Sequence, residues 1–150
     1  MDFIFEHFWL SCGILCGFGN AIYFRFKLQN SVSNGKLSIK EANWFGVGFS
    51  LSIFIPCLIF WFLQISSGPQ ATHNFETWLP LQRNIGSAVM ITCWGTFFLW
   101  VWFLKGAEKL SNYLELAGHK PRFMNHPFVF KGLAIAILVM AIFFIKNRVL

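Results

Sequence analysis

Five titratable side chains precede the first and third long apolar stretches of this 150-residue chain. They are Glu6, His7, His73, Glu76 and Arg83. Carboxylates and imidazoles brought together are able to bind a metal ion or to transfer protons. The sequence contains no H-x-x-x-H or H-E-x-x-H spacing, so it specifies no ligand geometry. We therefore expect polar residues at a membrane interface, with a functional outer-face cluster as the alternative, and neither a metal nor a cofactor.

A second set of polar side chains lies inside the apolar stretches: Ser50, Ser52, Thr92 and Thr96. No charged residue is placed deep inside a stretch, where proton relays, coupled transporters and voltage sensors usually keep an ionisable group. Hydroxyls contributed by several copies of the chain would line a weakly selective conduction path. These four residues are the predicted lining if the protein forms a pore.

Small residues recur every four positions on the first apolar stretch, at Gly13, Gly17 and Ala21, with Asn20 beside them. Such spacing lets a second helix backbone approach closely, and Asn20 would add a hydrogen bond across the contact worth ~1 kcal/mol. The pattern predicts a helix-packing face, used either against the second or fourth span or between subunits. The same spacing recurs at Gly46–Ser50, Gly48–Ser52 and Gly132–Ala136.

Four apolar stretches must position these residues, and they cover approximately 8–24, 44–63, 85–104 and 127–145. A helix rises ~1.5 Å per residue, so about twenty residues cross the ~30 Å hydrocarbon core of a bilayer. Hydrophobic residues make up 56% of the chain and charged residues only 12%, which excludes an ordinary soluble domain. The sequence predicts one all-α integral membrane domain over residues 1–150, a four-transmembrane-helix bundle.

Local signals predict where two of the helices begin and end. Residues 38–41 read Ser-Ile-Lys-Glu, the S-x-x-E form of a capping box, and place the start of the second helix at Ser38. Helix-forming residues continue beyond Leu104, so we expect the third helix to run on toward Gly118. This extension is amphipathic, which suits the membrane interface or a neighbouring helix.

The basic residues predict the orientation of the chain in the membrane. Nine of the twelve Lys and Arg residues lie in, or at the rim of, the first and third loops. Since cytoplasmic loops carry the excess of Lys and Arg, these loops should face the cytoplasm and both termini the outside. The net charge of +6 is then explained by topology and anionic headgroups, and we expect no nucleic-acid partner.

Three classes of function fit these features. The first is a non-catalytic protein that acts by self-association and partner binding, such as an accessory subunit, an immunity protein or a defence sensor. Its partners would be the lipid bilayer, copies of itself, and a membrane or cytoplasmic protein. The second is a homo-oligomeric pore or channel, favoured by the small-residue faces together with the intramembrane hydroxyls.

The third class is a small four-span membrane enzyme. In size, basic charge and number of spans the chain resembles the family of eicosanoid and glutathione membrane enzymes. The second span, Trp44 to Leu63, has neither the arginine nor the glutamate that this family's second span carries. We therefore expect the first class, without catalysis, in a bacterial inner membrane.

Overall fold

Helices make up all the regular structure in the described part of the computed structural model, which covers residue 4, residues 6–118 and residues 126–148. The all-helical prediction is confirmed. The first helical run is continuous and consists of α1 (Phe8–Cys12), a π-helical segment (Gly13–Phe18) and α2 (Gly19–Ser33). The remaining helices are α3 (Ile39–Ser66), α4 (Pro80–Phe103), α5 (Gly106–Leu116) and α6 (Pro127–Arg148).

Two of these helices, α3 and α4, are long and apolar enough to cross a membrane. Only 22% and 17% of their most apolar windows are buried, whereas the core helix of a soluble protein would be mostly covered. Helix α6 is apolar over Pro127–Phe143. The surfaces that these helices present are therefore apolar and largely uncovered within one chain.

The start of α3 is fixed by the predicted capping box, which the structure confirms. The backbone N–H of Glu41 donates to Ser38 Oγ at 3.2 Å, and the backbone N–H of Ser38 donates to the Glu41 carboxylate at 3.1 Å. These hydrogen bonds from Ser38 favour the charged carboxylate and lower the pKa of Glu41. Two backbone donors that a helix start leaves unpaired are thereby satisfied.

The predicted continuation of the third helix beyond Leu104 is wrong. Helix α4 ends at Phe103, Lys105 adopts a left-handed conformation with φ of 57°, and a separate helix, α5, begins at Gly106. A Cβ atom on Gly106 would lie 2.6 Å from the ring of Trp100 and 2.8 Å from its carbonyl oxygen. The chain therefore turns back onto the last turn of α4, a contact that helix propensity does not report.

The long helices form an open row in chain order. The first run packs on α3, α3 packs on α4, and α4 packs on α6, which also contacts α5. Within the described ranges, no extensive packing joins α6 to the first run or to α3. Among the described residues, one face of α6 and one face of α3 consequently have no neighbouring helix.

Helix α5 connects the two halves of the row at one end of the molecule. Ser31 at the end of the first run donates its hydroxyl to the carbonyl oxygen of Leu116. The rings of Phe45 and Tyr113 stack with centroids 4.0 Å apart, which joins α5 to the start of α3. The first loop and α5 therefore share one end, and residues 6–7 share the other end with the connection between α3 and α4.

Candidate functional site

A buried aromatic cluster lies at the end where α3 and α4 are connected. We call it the loop-two cluster, and it consists of Phe60, Leu63, Phe75 and Trp78. The rings of Phe75 and Trp78 lie 4.4 Å apart, and the ring of Phe60 lies 5.5 Å from that of Phe75. A Cβ atom on Gly86 would approach Phe75 to 2.8 Å, so the loop rests directly on the backbone of α4.

The connection itself, residues 67–79, is shaped by its own hydrogen bonds. The backbone N–H of Thr72 donates to Thr77 Oγ1 at 2.8 Å, and the indole N–H of Trp78 donates to the carbonyl oxygen of Thr72, also at 2.8 Å. Asn74 caps a short 3-10 turn, Phe75–Thr77, because its side-chain oxygen accepts from the backbone N–H of Glu76. The loop thus presents its aromatic side chains in a fixed arrangement.

The start of the first helical run completes the cluster. The ring of Trp9 lies 5.0 Å from that of Phe60 and 5.9 Å from that of Phe75. The indole N–H of Trp61 donates to Nδ1 of His7 at 3.0 Å. An accepting Nδ1 requires the proton of the neutral imidazole to be on Nε2. Residues from the first run, α3, α4 and the loop therefore meet around one aromatic centre.

The five residues of the predicted outer-face cluster all lie at this end of the helices. The ring of His73 lies 5.0 Å from that of Phe8, next to His7, while Glu76 accepts a hydrogen bond from Asn74 within the loop. Glu6 contributes its backbone carbonyl, and Arg83 belongs to the first turn of α4. Across the described residues no group of three or more His, Cys, Asp or Glu is placed to hold a metal ion.

Gln64 is the most buried polar residue at this end, with only 3% of its surface exposed. Its Nε2 donates to the carbonyl oxygens of Glu6, at 2.9 Å, and Ala71, at 3.3 Å. Its Oε1 is buried and accepts no hydrogen bond. Three more buried atoms in the described part of the chain lack a partner: Trp9 Nε1, Gln82 Oε1 and Arg83 Nε. We call these four atoms the unpaired set.

The residues of the unpaired set belong to the helices that meet at the loop-two cluster. Trp9 contacts Phe60, and Gln64 follows Phe60 by one helical turn. Gln82 and Arg83 precede Gly86 by about one turn and share its face of α4, because residues three and four apart on a helix are neighbours. Gly86 in turn contacts the aromatic rings of the cluster. Three elements, the first run, α3 and α4, thus contribute two unpaired donors and two unpaired acceptors at this end of the helices.

Of the unpaired set, only Arg83 is among the residues that the sequence singled out. In the sequence, Gln64 and Gln82 each place an amide just outside an apolar stretch, at the same predicted membrane face. The signal for Trp9 was an aromatic residue at the start of the first span. None of these signals reveals that the polar atoms are buried, because burial depends on the loop.

The small-residue stripe of the first run packs against α3 within the chain. A Cβ atom on Gly13 would lie 2.9 Å from the Cβ of Cys57, and one on Gly17 would lie 3.3 Å from the carbonyl oxygen of Ser50. Both glycines are buried in this contact. Close backbone approach of two helices explains why these positions carry no side chain.

Asn20 and Ala21 continue this region toward the first loop. The amide nitrogen of Asn20 donates to the carbonyl oxygen of Cys16 in its own helix. The carbonyl oxygen of Ala21 lies 4.0 Å from where a Cβ atom on Gly46 would be. The hydrogen bond of Asn20 is therefore made locally rather than to another helix.

The four hydroxyl residues of the predicted pore lining are not brought together within one chain. Ser50 is buried against the first run and donates to the carbonyl oxygen of Gly46. Ser52, Thr92 and Thr96 are exposed. The hydroxyls of Ser52 and Thr92 each donate to a backbone carbonyl of their own helix.

The chain matches no protein-family model, no curated protein and no solved structure. Its candidate site is therefore defined by geometry: an aromatic cluster at one end of the helices, and four buried polar atoms without partners on the helices that meet there.

Proposed function

We propose that this chain is a four-span membrane protein that acts without catalysis, by associating with copies of itself and with partner proteins in the bilayer. The exposed surface supports a membrane location. Along α3, a stripe of large apolar residues includes Trp44 and Phe62, whose surfaces are 76% and 62% exposed. Hydrocarbon solvates such a stripe, whereas in water it would be an aggregation surface.

We place all four long helical runs in the membrane in the same way. Helix α6 exposes Phe128, Val139 and Phe143, and the first run exposes Leu15 and Phe26. With the first and third loops in the cytoplasm, both termini would lie outside the cytoplasm of a bacterial inner membrane. The shared end formed by the first loop and α5 is compatible with this orientation.

The free face of α6 is the observation that carries the self-association proposal. Helix α6 turns one face toward the rest of the chain, where Ala134 and Ala141 are buried. Gly132 and Ala136 lie two residues on either side of Ala134, on the opposite face, and both are exposed. A Cβ atom on Gly132 would meet nothing within 4 Å. Small residues four apart on a lipid-facing surface are typical of contacts between membrane helices.

A second small-residue pair, Gly48–Ser52 on α3, is exposed in the same way. The Gly13–Gly17 stripe is already covered by α3, so these two open pairs are the faces left for other chains. Contacts of this kind fit an accessory subunit, an immunity protein or a defence sensor. Among the described residues, no arrangement of side chains specifically supports the pore or the enzyme alternative.

Sedimentation in mild detergent tests this proposal. Gly132→Leu inserts a bulky side chain into the proposed contact, so the oligomer should shift to a smaller species. Gly19→Leu is the matched control, since Gly19 is also an exposed helical glycine with nothing within 4 Å but lies on the first run. Unchanged sedimentation of Gly132→Leu relative to both the wild type and the control would remove this face from the interface.

A further inference from the structure

Helix α3 has a weak point in its backbone at Pro56. This residue lies in the interior of the helix and has no backbone N–H to donate to the carbonyl oxygen of Ser52, one turn earlier. Elsewhere in the described helices, proline occurs only at the first residue, in α4 and in α6. Helix α3 therefore bends more readily at Pro56 than along its regular turns.

The first run has a weak point of its own, the π-helical segment Gly13–Phe18. A π turn closes its hydrogen bonds over five residues instead of four, and such turns are places where helices kink. Among the described residues no other segment is π-helical. Two neighbouring helices thus each carry one irregular turn.

These two irregular turns lie against each other. A Cβ atom on Gly13 would lie 2.9 Å from the Cβ of Cys57, the residue that follows Pro56. A Cβ atom on Gly17 would lie 3.3 Å from the Cβ of Phe54, which precedes Pro56. Both weak points are therefore at one level of the molecule. Since the two glycines have no side chain to interlock with α3, the contact leaves the angle between the helices free to change.

On one side of this level, the first run and α3 are bound to each other. The ring of Trp9 lies 5.0 Å from that of Phe60 in the loop-two cluster. Gln64 Nε2 donates to the carbonyl oxygen of Glu6 at 2.9 Å. The contacts join three segments, which we call the loop-two unit: residues 6–12, 57–66 and 67–79.

On the other side of this level, the same two helices are bound to each other and to α5. The ring of Phe24 lies 5.1 Å from that of Phe45, which in turn stacks on Tyr113 of α5. Ser31 donates its hydroxyl to the carbonyl oxygen of Leu116. Each side is thus cross-linked within itself, and the two sides are joined through the irregular turns.

We propose that Gly13–Phe18 and Pro56 form a paired hinge, about which the loop-two unit tilts as one body relative to the end that carries α5. With a single irregular turn the neighbouring regular helix would resist bending, whereas two turns at one level let both helices bend together. The end of α3 lies about 15 Å beyond Pro56, so a change of about 20° in the kink moves it by about 5 Å.

The contact of the loop-two unit with α4 is compatible with this motion. Phe75 rests on Gly86, which has no side chain to interlock with the ring, and Val89 and Met90 beside it are only partly buried. Helix α6 packs on α4 and has no extensive contact with the first run or α3 in the described ranges, so it stays in place. The inference rests on contacts within one chain and not on the self-association proposed above.

Distances between pairs of spin labels, measured by pulsed electron paramagnetic resonance in lipid nanodiscs, test the hinge. In a background with the native cysteines replaced by alanine, Ile65→Cys with Phe143→Cys joins the loop-two unit to α6. The reference pair, Leu81→Cys with Phe143→Cys, joins the start of α4 to the same position. All three side chains are exposed. We expect the first distance distribution to be wider by about 5 Å. Equal widths would overturn the proposal.

Removal of the proline assigns the motion to the hinge. Pro56→Ala restores the backbone N–H and should narrow the distribution of the Ile65 and Phe143 pair to the width of the reference pair. Its control is Pro69→Ala, at an exposed proline in the connection beyond the hinge, and should leave the distribution unchanged. A distribution that stays wide in Pro56→Ala, or that narrows equally in Pro69→Ala, would overturn the proposal.

A third pair, Glu6→Cys with Phe143→Cys, shows whether the two helices move together. The backbone at Glu6 is bound by Gln64, and the neighbouring His7 accepts from the indole N–H of Trp61. Straightening α3 by Pro56→Ala should therefore narrow this distribution as well, although the substitution is on the other helix. Narrowing of the Ile65 pair alone would show that the helices bend independently and would overturn the paired hinge.

Discussion

Individual glycines of the first helical run have different structural roles. Gly13 and Gly17 face α3 so closely that a methyl group at Gly13 would contact Cys57 at 2.9 Å. Gly19, in the same run, has open space where its side chain would be. The residue type is identical, and only the position relative to α3 determines whether it is required.

Gly13→Ala should therefore destabilise the protein by about 1–3 kcal/mol, as expected for overpacking a close contact. The added methyl would collide with the Cβ of Cys57, which is bonded directly to the backbone of α3 and has little freedom to move. Thermal unfolding in detergent measures the effect. Gly19→Ala is the control and should be neutral or slightly stabilising, since alanine favours helix. Equal unfolding temperatures for the two variants would contradict the packing described.

The capping box at the start of α3 gives a pH-dependent prediction. The pKa of Glu41 is lowered by its hydrogen bonds with Ser38, so this contribution to stability is present above the ordinary carboxyl pKa. It is lost as pH falls through the lowered pKa of the folded state. Ser38→Ala should return the pKa of Glu41 toward its ordinary value, as measured by NMR titration of the carboxyl group. Ser33→Ala, at the end of α2, is the control; the same pKa in both variants would exclude Ser38 as the cause.

At the scale of elements, the junction of α4 and α5 is fixed by a contact rather than by helix-breaking residues. Lys105 is left-handed, a conformation that a side chain disfavours, and Gly106 rests against Trp100. Lys131 of α6 forms an ion pair with Glu108 of α5 at 3.1 Å. Three helices therefore meet where the chain reverses.

Gly106→Ala should be among the most damaging alanine substitutions of a glycine in this chain. The methyl would lie 2.6 Å from ring atoms of Trp100 and 2.8 Å from its backbone oxygen, so the expected loss is near the upper end of ~1–3 kcal/mol. Hydrogen exchange of the α5 amides should increase at the same time, since α5 would lose its contact with α4. Gly95→Ala, within α4 and facing open space, is the control. Unchanged exchange in α5 would show that Gly106 does not hold the junction.

Local chemistry explains which elements could be predicted from the sequence. The capping box involves residues three apart, so Ser38 and Glu41 alone were sufficient. The small-residue face of the first run was predicted, but its partner was left open among the second span, the fourth span and another subunit. The turn at Lys105 was missed because it depends on Trp100 packing against Gly106, and helix propensity contains no such information.

The candidate site was only partly predictable for a related reason. Placing Arg83 and His7 at one face required only the order of the apolar stretches. Recognising that Gln64 Oε1 and Trp9 Nε1 are buried without partners required the path of the loop that covers them. Hydrogen-bond satisfaction is a property of the folded chain, and no spacing in the sequence encodes it.

At the scale of the whole molecule, the alternation of the helices predicts a labelling pattern. In a background with the four native cysteines replaced by alanine, Gln70→Cys should react with an impermeant maleimide from outside the cell. Asn34→Cys should react only in inverted vesicles, because the first loop lies at the opposite end of the helices from residues 67–79. Both positions are exposed. Labelling of both from the same side would contradict the four-span arrangement.

The widened π turn at Gly13–Phe18 has a consequence for how the chain tolerates change in length. This turn accommodates an extra residue compared with α-helix, so removal of the exposed Leu15 would let the run close into regular α-helix. Deleting the exposed Ile91 from α4 would instead rotate every following side chain by about 100°. Deletion of Leu15 should therefore lower the unfolding temperature less than deletion of Ile91. A one-residue deletion arising in a descendant of this gene would survive at the first position and be eliminated at the second.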